Sequence, residues 1–471
     1  MSAGAVAAID LGATSGRVIV GRVGPDVLDT TTVTRFANSP VRAGDGLHTD
    51  ILALYDAALG GLRAALHAHP DVASIGVDSW AVDYALLRGG RLLGNPFHYR
   101  DERSERGVAK VHEKMPHSTL FARNGLQFLP FTTLYQLAAE DPDVLGFADT
   151  ALLIPDLVAY WFTGRAVAER TNASTTGLLR DGTWDDELIR TLGFARGLLP
   201  ELVSPGERVG MLRPDVAASL SAPERLPVTA VGTHDTASAV VAVPMEAGHA
   251  AYISCGTWGL VGVEVDSPVL TPEALAANFT NEGGVDGRVR LLHNVMGLWV
   301  LTEAMRGWER AGRGIELSSL LTQAAAVDPA AVPVFDIQDP RFLPTGDMPA
   351  RIKAWCDEHD VVAPRTQAEY ARAIIESLAQ AFTDTVAAAS RISHVNVRTI
   401  HIVGGGALND LLCQRTADRA GLPVLAGPVE ATALGNLLVQ ARAVGLVSGS
   451  LEALRDLVQR THAPRRFTPA P

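Results

Sequence analysis

A strand–turn–strand pattern occurs twice in the chain, about 240 residues apart, and it limits the folds that this sequence can adopt. The first copy lies near the N-terminus, with Asp10 at the end of its first strand and Gly12 in its turn. The second copy covers residues 251–263, where Ser254 and Gly256 stand at the equivalent positions. Both turns are rich in Gly, Ser and Thr, which suit tight turns between strands. The repetition predicts duplicated halves, each offering such a turn to something between them.

Apolar periodicity along the rest of the chain alternates between helices and strands. Apolar residues recur at helical spacing after Asp50, and residues 74–78 read as a core strand that ends in a carboxylate. A strand is predicted at 399–403, followed by a helix over 407–419. This alternation predicts the α/β fold class. A length of 471 residues favours two or three domains, and 330–364, with five prolines, is expected to be an irregular insertion.

Charge and basic-residue usage exclude several classes of function. The chain has 40 Lys+Arg against 52 Asp+Glu, a formal net charge of −12, so we expect no nucleic-acid or membrane partner. None of the three lysines follows a Gly-rich turn, so the P-loop route to nucleotide binding is absent. The three cysteines are far apart, which suggests neither a zinc site nor a disulfide framework. The N-terminus lacks a basic secretory start, so a soluble, cytoplasmic protein is expected.

The first turn is a candidate phosphate site. Gly12, Thr14, Ser15 and Gly16 offer backbone N–H and hydroxyl donors, and Asp10 beside them is a candidate to hold Mg²⁺ through water. The alternative is an ordinary hairpin in which Asp10 caps the turn. The pattern alone favours the ordinary hairpin, because turns of this kind are common.

Asp235 is a candidate general base. It stands where the apolar residues 228–231 meet the start of a helix, a position from which a carboxylate can take a proton from a substrate hydroxyl. An aspartate in this position is also typical of a helix N-cap. The residues alone favour the cap.

Two later segments are candidates for ligand contact. The glycines 404–406 separate a strand from a helix, so they permit either close approach of an adenosine or tight packing of helix on strand. Asn294 is able to hydrogen-bond a polyol, but the residues alone favour a turn position.

Together, and in this order, these motifs resemble those of the FGGY carbohydrate kinases, within the actin/Hsp70-like sugar kinase superfamily. The resemblance extends from about Val6 to Asn436. Residues 9–17 carry its first phosphate motif, and Gly404–Gly406 with the residues up to Val424 carry its C-terminal signature. Four longer segments resemble the branch of the family that phosphorylates L-rhamnulose: residues 77–84, 96–101, 127–131 and 294–299.

The resemblance implies an α/β fold of two actin-like, ribonuclease H-like domains with the active site in the cleft between them. Residues 1–243 would bind the sugar and carry the base, and residues 244–471 would bind ATP. The implied reaction is ATP-dependent phosphorylation of a ketose at its primary hydroxyl, with L-rhamnulose as the favoured substrate. ATP and Mg²⁺ are the implied cofactors, and a monomer or homodimer is expected.

The resemblance also assigns roles to individual residues. Asp235 would be the general base and Asp10 the metal ligand. ATP would be contacted by Ala13, Thr14, Ser15, Gly16, Arg17, Thr257 and Gly405. The sugar site would be lined by Ala81, His234, Thr236 and Asn294. Two positions depart from the family pattern: Ala81 stands where glycine is frequent, and Thr302 stands where a glutamine is usual at an ATP contact.

Two alternatives remain at this point. One is a kinase for another ketose or polyol, such as L-fuculose, xylulose or ribulose, and the methyl group of Ala81 is the reason to consider it. The other is a non-catalytic sugar or nucleotide sensor. A repressor would add a helix-turn-helix and a basic patch, and an inactive kinase would be expected to have lost Asp10 or Asp235, which are both present.

Overall fold

The computed structural model describes residues 3–223 and 225–470. The chain forms two compact units, within each of which the Cα atoms lie close together. The first contains the residues up to Pro244 together with Asp266–Arg290 and Ala431–Thr461, and the second contains Met245–Val265, Leu291–Glu430 and the residues from His462 onward. The assignment of roles to residues 1–243 and 244–471 stays a prediction, because proximity does not define function.

The strands and helices, in chain order, are as follows. The strands are β1 (Gly4–Leu11), β2 (Ser15–Gly24), β3 (Val27–Ala37), β4 (Val41–Ala43), β5 (Gly46–His48), β6 (Val72–Ser79), β7 (Tyr84–Arg88), β8 (Arg91–Leu92), β9 (Thr150–Leu153), β10 (Val167–Glu169), β11 (Leu179–Arg180), β12 (Thr183–Trp184), β13 (Glu201–Val203), β14 (Arg208–Met211), β15 (Pro227–Thr229), β16 (Ala250–Cys255), β17 (Trp258–Val265), β18 (Thr280–Gly283), β19 (Val289–Met296), β20 (Thr399–Val403), β21 (Val424–Ala426) and β22 (Arg465–Phe467). The helices are α1 (Ile51–Ala68), α2 (Ser104–Lys114), α3 (His117–Asn124), α4 (Thr133–Ala139), α5 (Pro142–Phe147), α6 (Ile154–Thr163), α7 (Arg170–Ala173), α8 (Asp186–Leu192), α9 (Pro214–Leu220), α10 (Asp235–Val241), α11 (Pro272–Ala276), α12 (Trp299–Arg310), α13 (Leu317–Ala325), α14 (Met348–Glu358), α15 (Gln367–Ser393), α16 (Asp410–Ala420), α17 (Ala431–Ala443) and α18 (Leu451–Thr461). None of the helices in the described part of the chain is long and apolar enough to cross a membrane.

The first unit is built on a sheet with the strand order β14-β15-β6-β1-β2-β3. Strands β1 and β2 form the predicted antiparallel hairpin, in which Asp10 pairs with Arg17. Strand β6 runs parallel to β1 and to β15, so these three strands end at the same edge of the sheet. Helix α1 begins where it was predicted, because the Asp50 side chain accepts a hydrogen bond from the Ala53 N–H. Its predicted apolar face, which includes Leu62, is buried.

The second unit repeats part of this arrangement, with its strands in the order β19-β17-β16-β20-β21-β22. Strands β16 and β17 form the second predicted hairpin, in which Cys255 pairs with Gly259. Strand β20 covers the predicted residues 399–403 and runs parallel to β16, as β6 does to β1. Each hairpin therefore has a parallel neighbour on its first strand, which is the relationship that the duplicated pattern predicts.

Three sequence interpretations are wrong in detail. Helix α16 begins at Asp410 instead of residue 407, because Gly405–Leu408 form a 3₁₀ turn and the Asn409 side chain caps the helix. The segment 330–364 is irregular only in part, since it contains α14 and buries Phe342 and Met348 completely. Asn294 lies within strand β19, so its interpretation as a turn residue is also wrong.

Candidate functional site

Three carboxylates meet at one edge of the first unit's sheet. Asp10 is near the end of β1, and Asp78 is its register partner near the end of β6. After β15, the chain runs beside β6, and the Ser79 backbone N–H donates to the Thr233 carbonyl at 2.9 Å. Asp235 follows two residues after Thr233. The carboxyl ends of neighbouring parallel strands are where α/β sheets bind their ligands. The fold therefore brings together predicted site residues that are more than 200 positions apart in the sequence.

Asp10 is bound across the hairpin by a cation. Its Oδ2 accepts from Arg17 Nε at 2.8 Å and lies 2.7 Å from Arg17 Nη2, and its residue is only 4% exposed. The turn itself is closed by other groups: the Gly12 N–H donates to the Ser15 carbonyl at 2.9 Å, and Asn38 donates to the carbonyl of Gly12 at 2.9 Å. Asp10 thus forms an ion pair across the strands instead of capping the turn.

The turn after β1 is exposed at its two hydroxyl-bearing residues. Thr14 and Ser15 are exposed, Ala13 and Arg17 are half-buried, and Gly16 is buried. The Thr14 carbonyl accepts from the backbone N–H of the buried Asn38 at 3.0 Å, so the turn has a fixed anchor beneath it. A fixed turn with exposed hydroxyl groups is a suitable donor surface for phosphate oxygens.

Asp78 is a carboxylate of the site that the sequence prediction did not include. It is fully buried, and its Oδ2 accepts from Asn436 Nδ2 at 2.5 Å. Gln440, one turn along α17, donates to Asn436 Oδ1 at 2.6 Å and to the Ala7 carbonyl at 3.0 Å. Burial raises the pKa of Asp78 well above its usual value, and the negative charges of Asp10 and Asp235 raise it further. Its Oδ1 has no hydrogen-bond partner among the described residues.

Asp235 is the first residue of α10, and His234 occupies the N-cap position without a capping hydrogen bond from its side chain. The interpretation of Asp235 as the N-cap is therefore wrong. The side chain of Asp235 keeps 30% exposure, and its Oδ1 accepts from Thr236 Oγ1 at 3.1 Å. Burial raises the pKa of Asp235, and Asp10 adds to the rise, while His234 acts in the opposite direction. A partly accessible carboxylate with a raised pKa is suited to proton transfer.

His234 is surrounded by ionic groups. Its Nδ1 lies 3.0 Å from Arg290 Nη2 and 3.3 Å from Glu282 Oε2, and its Nε2 lies 3.5 Å from Asp235 Oδ1. Burial by itself raises the pKa of Glu282, but the charge of Arg290 and the contact with His234 outweigh it, so the pKa is lowered. Neither Arg290 nor Glu282 has a local sequence signal that marks it as part of a site.

The backbone before His234 is held by another buried carboxylate. Glu169 Oε2 accepts from the Thr233 N–H at 3.0 Å and from Thr233 Oγ1 at 2.9 Å. The same side chain accepts from the Thr171 N–H at 2.8 Å. Burial raises the pKa of Glu169, while these hydrogen bonds lower it in part. The residue leading into His234 and Asp235 is thus fixed from the interior of the unit.

Ala81 lies in a strained turn directly after β6. The Asp83 N–H donates to the Ala81 carbonyl at 2.9 Å, and Val82 between them has φ 69°, which a β-branched residue rarely adopts. The buried Asp83 side chain holds the turn: Oδ2 accepts from Trp80 Nε1 at 2.9 Å, and Oδ1 accepts from Gln136 Nε2 at 3.1 Å. Such strain is maintained only where the surroundings impose it, and it is frequent at ligand sites. The Trp80 N–H also donates to the carbonyl at the end of β1, which joins this turn to the carboxylate edge.

In the second unit, Thr257 and Gly405 lie at the ends of the parallel strands β16 and β20. Gly404 has φ 78°, and a Cβ added there would lie 2.9 Å from the Cys255 carbonyl oxygen. A Cβ at Gly406 would lie 2.5 Å from Cys255 Sγ, whereas one at the exposed Gly405 would meet nothing nearer than 4.0 Å. The outer two glycines therefore serve packing, and the middle one is accessible to a ligand. Half-buried Thr257 is in the turn between β16 and β17.

Family models and relatives identify the class of protein. The model described as "FGGY family of carbohydrate kinases, N-terminal domain" matches residues 5–242, and the corresponding C-terminal domain model matches residues 251–444. The chain therefore belongs to the FGGY family of carbohydrate kinases. Rhamnulokinase of Pectobacterium atrosepticum is 42% identical over 98% of this chain and 93% of its own length. Rhamnulokinase of Bacteroides thetaiotaomicron is 36% identical over 98% of this chain and 95% of its own length.

Solved structures support the same fold. Xylulose kinase from Lactobacillus acidophilus has a TM-score of 0.81 at 17% identity, covering 99% of this chain and 94% of that one. Glycerol kinase from Plasmodium falciparum, solved with ADP, has a TM-score of 0.78 at 15% identity, covering 99% of this chain and 94% of that one. The expected α/β fold of two actin-like domains is confirmed, as is the resemblance to the branch named for rhamnulose. The protein is a sugar kinase, so ATP is its co-substrate.

Proposed function

We propose that the protein transfers the γ-phosphoryl group of ATP to the primary hydroxyl of L-rhamnulose, which yields L-rhamnulose 1-phosphate. The names of its relatives support this substrate. The observation that carries the proposed chemistry is the position of Asp235, partly exposed and beside two further carboxylates at the ends of β1 and β6. Phosphoryl transfer depends on positioning and on charge stabilisation, and both are properties of such an edge.

Asp235 is the proposed general base for the sugar hydroxyl. His234 and Thr236 flank it in sequence, and the Thr236 hydroxyl donates to its Oδ1, which leaves Oδ2 for the substrate proton. Ala81, in the strained turn, and Asn294, on β19 in the second unit, are further proposed contacts of the sugar. Removing the hydroxyl proton as the oxygen attacks the γ-phosphorus makes the oxygen a better nucleophile.

ATP is proposed to use the turn of residues 13–17 and, in the second unit, Thr257 and Gly405. The hydroxyls of the exposed residues Thr14 and Ser15 are hydrogen-bond donors for phosphate oxygens, and the open space at Gly405 suits the approach of a flat group. Thr302 lies in the first turns of α12, and the contact expected there by resemblance stays a prediction.

Asp10 is the proposed Mg²⁺ ligand, with the unpartnered Oδ1 of Asp78 as a second oxygen at the same edge. Within the described residues, no group of three or more His, Cys, Asp or Glu side chains forms a metal cage. This donor set fits Mg²⁺, which uses one or two carboxylates, water and substrate phosphates. Bound Mg²⁺ would neutralise negative charge on the phosphates. A cytoplasmic location and a monomeric or homodimeric state also stay predictions.

A ketose panel tests the proposed substrate. ADP release is measured with L-rhamnulose, L-fuculose, D-xylulose and D-ribulose, and we expect the highest kcat/KM for L-rhamnulose. Ala81→Gly is the matched variant, because it removes only the methyl group that departs from the family pattern. A higher kcat/KM for another ketose would overturn the substrate assignment, and ADP release with none of the sugars would support the sensor alternative.

A further inference from the structure

A fully buried arginine contacts the histidine beside the proposed base. Arg290 has 0% exposure, and its Nε donates to the Gly283 carbonyl at 3.1 Å, which fixes the plane of the guanidinium group. Its Nη2 then lies 3.0 Å from His234 Nδ1 and 3.1 Å from Glu282 Oε2. These residues all belong to the first unit.

The chemistry of arginine determines which nitrogen of His234 carries the proton. A guanidinium group stays protonated in proteins and has only donors. A proton on Nδ1 would face that donor at 3.0 Å, so Nδ1 must present its lone pair to Arg290. The ring proton of neutral His234 is then on Nε2, the nitrogen that lies 3.5 Å from Asp235 Oδ1.

Glu282 has two effects on this arrangement. Its Oε2 balances the charge of Arg290, which is necessary because a buried, unpaired guanidinium group is strongly unfavourable. The same oxygen lies 3.3 Å from His234 Nδ1 and would accept a hydrogen bond from a protonated Nδ1 if Arg290 were absent. Without Arg290, the site would therefore favour the opposite tautomer.

The buried ion pair is a weak explanation for stability. Arg290 Nη1 is buried and has no hydrogen-bond partner among the described residues, which is itself a cost. Buried charge pairs of this kind are frequently no more stabilising than apolar residues of the same volume. A role in orienting a neighbouring group accounts for the pair better.

We propose that Arg290 is a positioning residue that fixes His234 as the Nε2–H tautomer. In that form, His234 presents a hydrogen-bond donor beside the Asp235 carboxylate, where it orients the base and the sugar hydroxyl. In the opposite tautomer, the Nε2 lone pair would face the carboxylate oxygen and repel it. The inference rests on the proposed function for its catalytic consequence, but not for the tautomer itself.

Nuclear magnetic resonance of the wild-type protein tests the tautomer directly. The protein is labelled with ¹⁵N-histidine, and His234→Gln identifies the signal of His234 among the 13 histidines. At neutral pH we expect a protonated Nε2 and an unprotonated Nδ1. A proton on Nδ1, alone or together with one on Nε2, would overturn the inference whether or not the protein phosphorylates L-rhamnulose.

Two substitutions at Arg290 test the mechanism. Arg290→Met removes the donor and leaves Glu282, so we expect the proton to move to Nδ1 and kcat to fall about 10- to 100-fold, by analogy with the loss of a partner that orients a metal-ligating histidine. Arg290→Lys retains a donor and should retain the Nε2–H form and most of kcat. An Nε2–H signal in Arg290→Met, or equal loss in both variants, would contradict the role of Arg290. If Arg290→Met does not fold, the wild-type spectrum and Arg290→Lys decide the question.

Discussion

The buried carboxyl group of Asp83 provides a quantitative test of the site's electrostatics. Burial raises the pKa of Asp83 from 3.8 to about 7, although hydrogen bonds from Trp80 and Gln136 act in the opposite direction. Each pKa unit is worth about 1.4 kcal/mol, so the shift of about three corresponds to about 4 kcal/mol. Because the folded-state pKa is the higher one, this stability is fully present below pH 3.8 and is lost as the pH rises through about 7.

Asp83→Asn should remove this loss of stability with rising pH, because the amide does not titrate. Between about pH 5.5 and about pH 8.5, the wild-type free energy of unfolding should fall by about 2 kcal/mol more than that of the variant. The amide keeps an oxygen for Trp80 and the Tyr99 N–H but turns an N–H toward Gln136 Nε2, a constant cost of about 1–3 kcal/mol. The change with pH, and not the difference at one pH, is therefore the quantity to measure.

The assay is urea unfolding followed by circular dichroism at several pH values. Asp56→Asn, on the exposed face of α1, is the matched control for removal of a surface carboxylate. Loosening of the turn at Ala81 should also raise the KM for the sugar in Asp83→Asn. A difference between wild type and Asp83→Asn that stays constant across this pH range would refute the reasoning.

Two further predictions concern packing and charge in the second unit. Gly406→Ala should lower the free energy of unfolding by about 1–3 kcal/mol, because its Cβ would lie 2.5 Å from Cys255 Sγ. Gly405→Ala should leave the free energy of unfolding unchanged and raise the KM for ATP. Urea unfolding and steady-state kinetics of both variants separate the two effects, and an equal loss of stability in both would contradict the packing argument. Glu376→Gln should cost about 3–5 kcal/mol, because the fully buried carboxylate accepts from Arg372, Arg415 and Arg419. The pair of the exposed Glu358 with Arg341 supplies the control, since Glu358→Gln should change the free energy of unfolding by less than about 1 kcal/mol. A similar loss of stability in Glu376→Gln and Glu358→Gln would show that burial does not cause the effect.

Local patterns in the sequence were sufficient to predict the elements that carry the site. The two hairpins, the start of α1 at Asp50 and the bounds of β20 follow from apolar periodicity, turn residues and a capping aspartate. The error in 330–364 has a physical reason: Asp347 caps α14 and Pro349 lies in its first turn, where proline starts a helix instead of breaking it. The late start of α16 similarly follows from the cap at Asn409.

The contacts that tune the candidate site have no comparable local signal. Asn436 reaches Asp78 from 358 positions away, and only the packing of α17 against β6 brings them together. Arg290 stands in an apolar strand pattern that does not reveal whether its side chain is buried or which group it meets. Long-range partners of this kind decide the pKa and tautomer of a site, and a single sequence does not specify them.

The role of Asp235 is tested most directly by comparing turnover and binding in Asp235→Asn. L-rhamnulose binding is measured by calorimetry, and ADP release is measured at saturating sugar and ATP. We expect sugar affinity to change by no more than a few-fold while kcat falls by about 10²–10⁴-fold, the usual contribution of a general base. Near-wild-type turnover in Asp235→Asn would contradict the assignment of this carboxylate as the base.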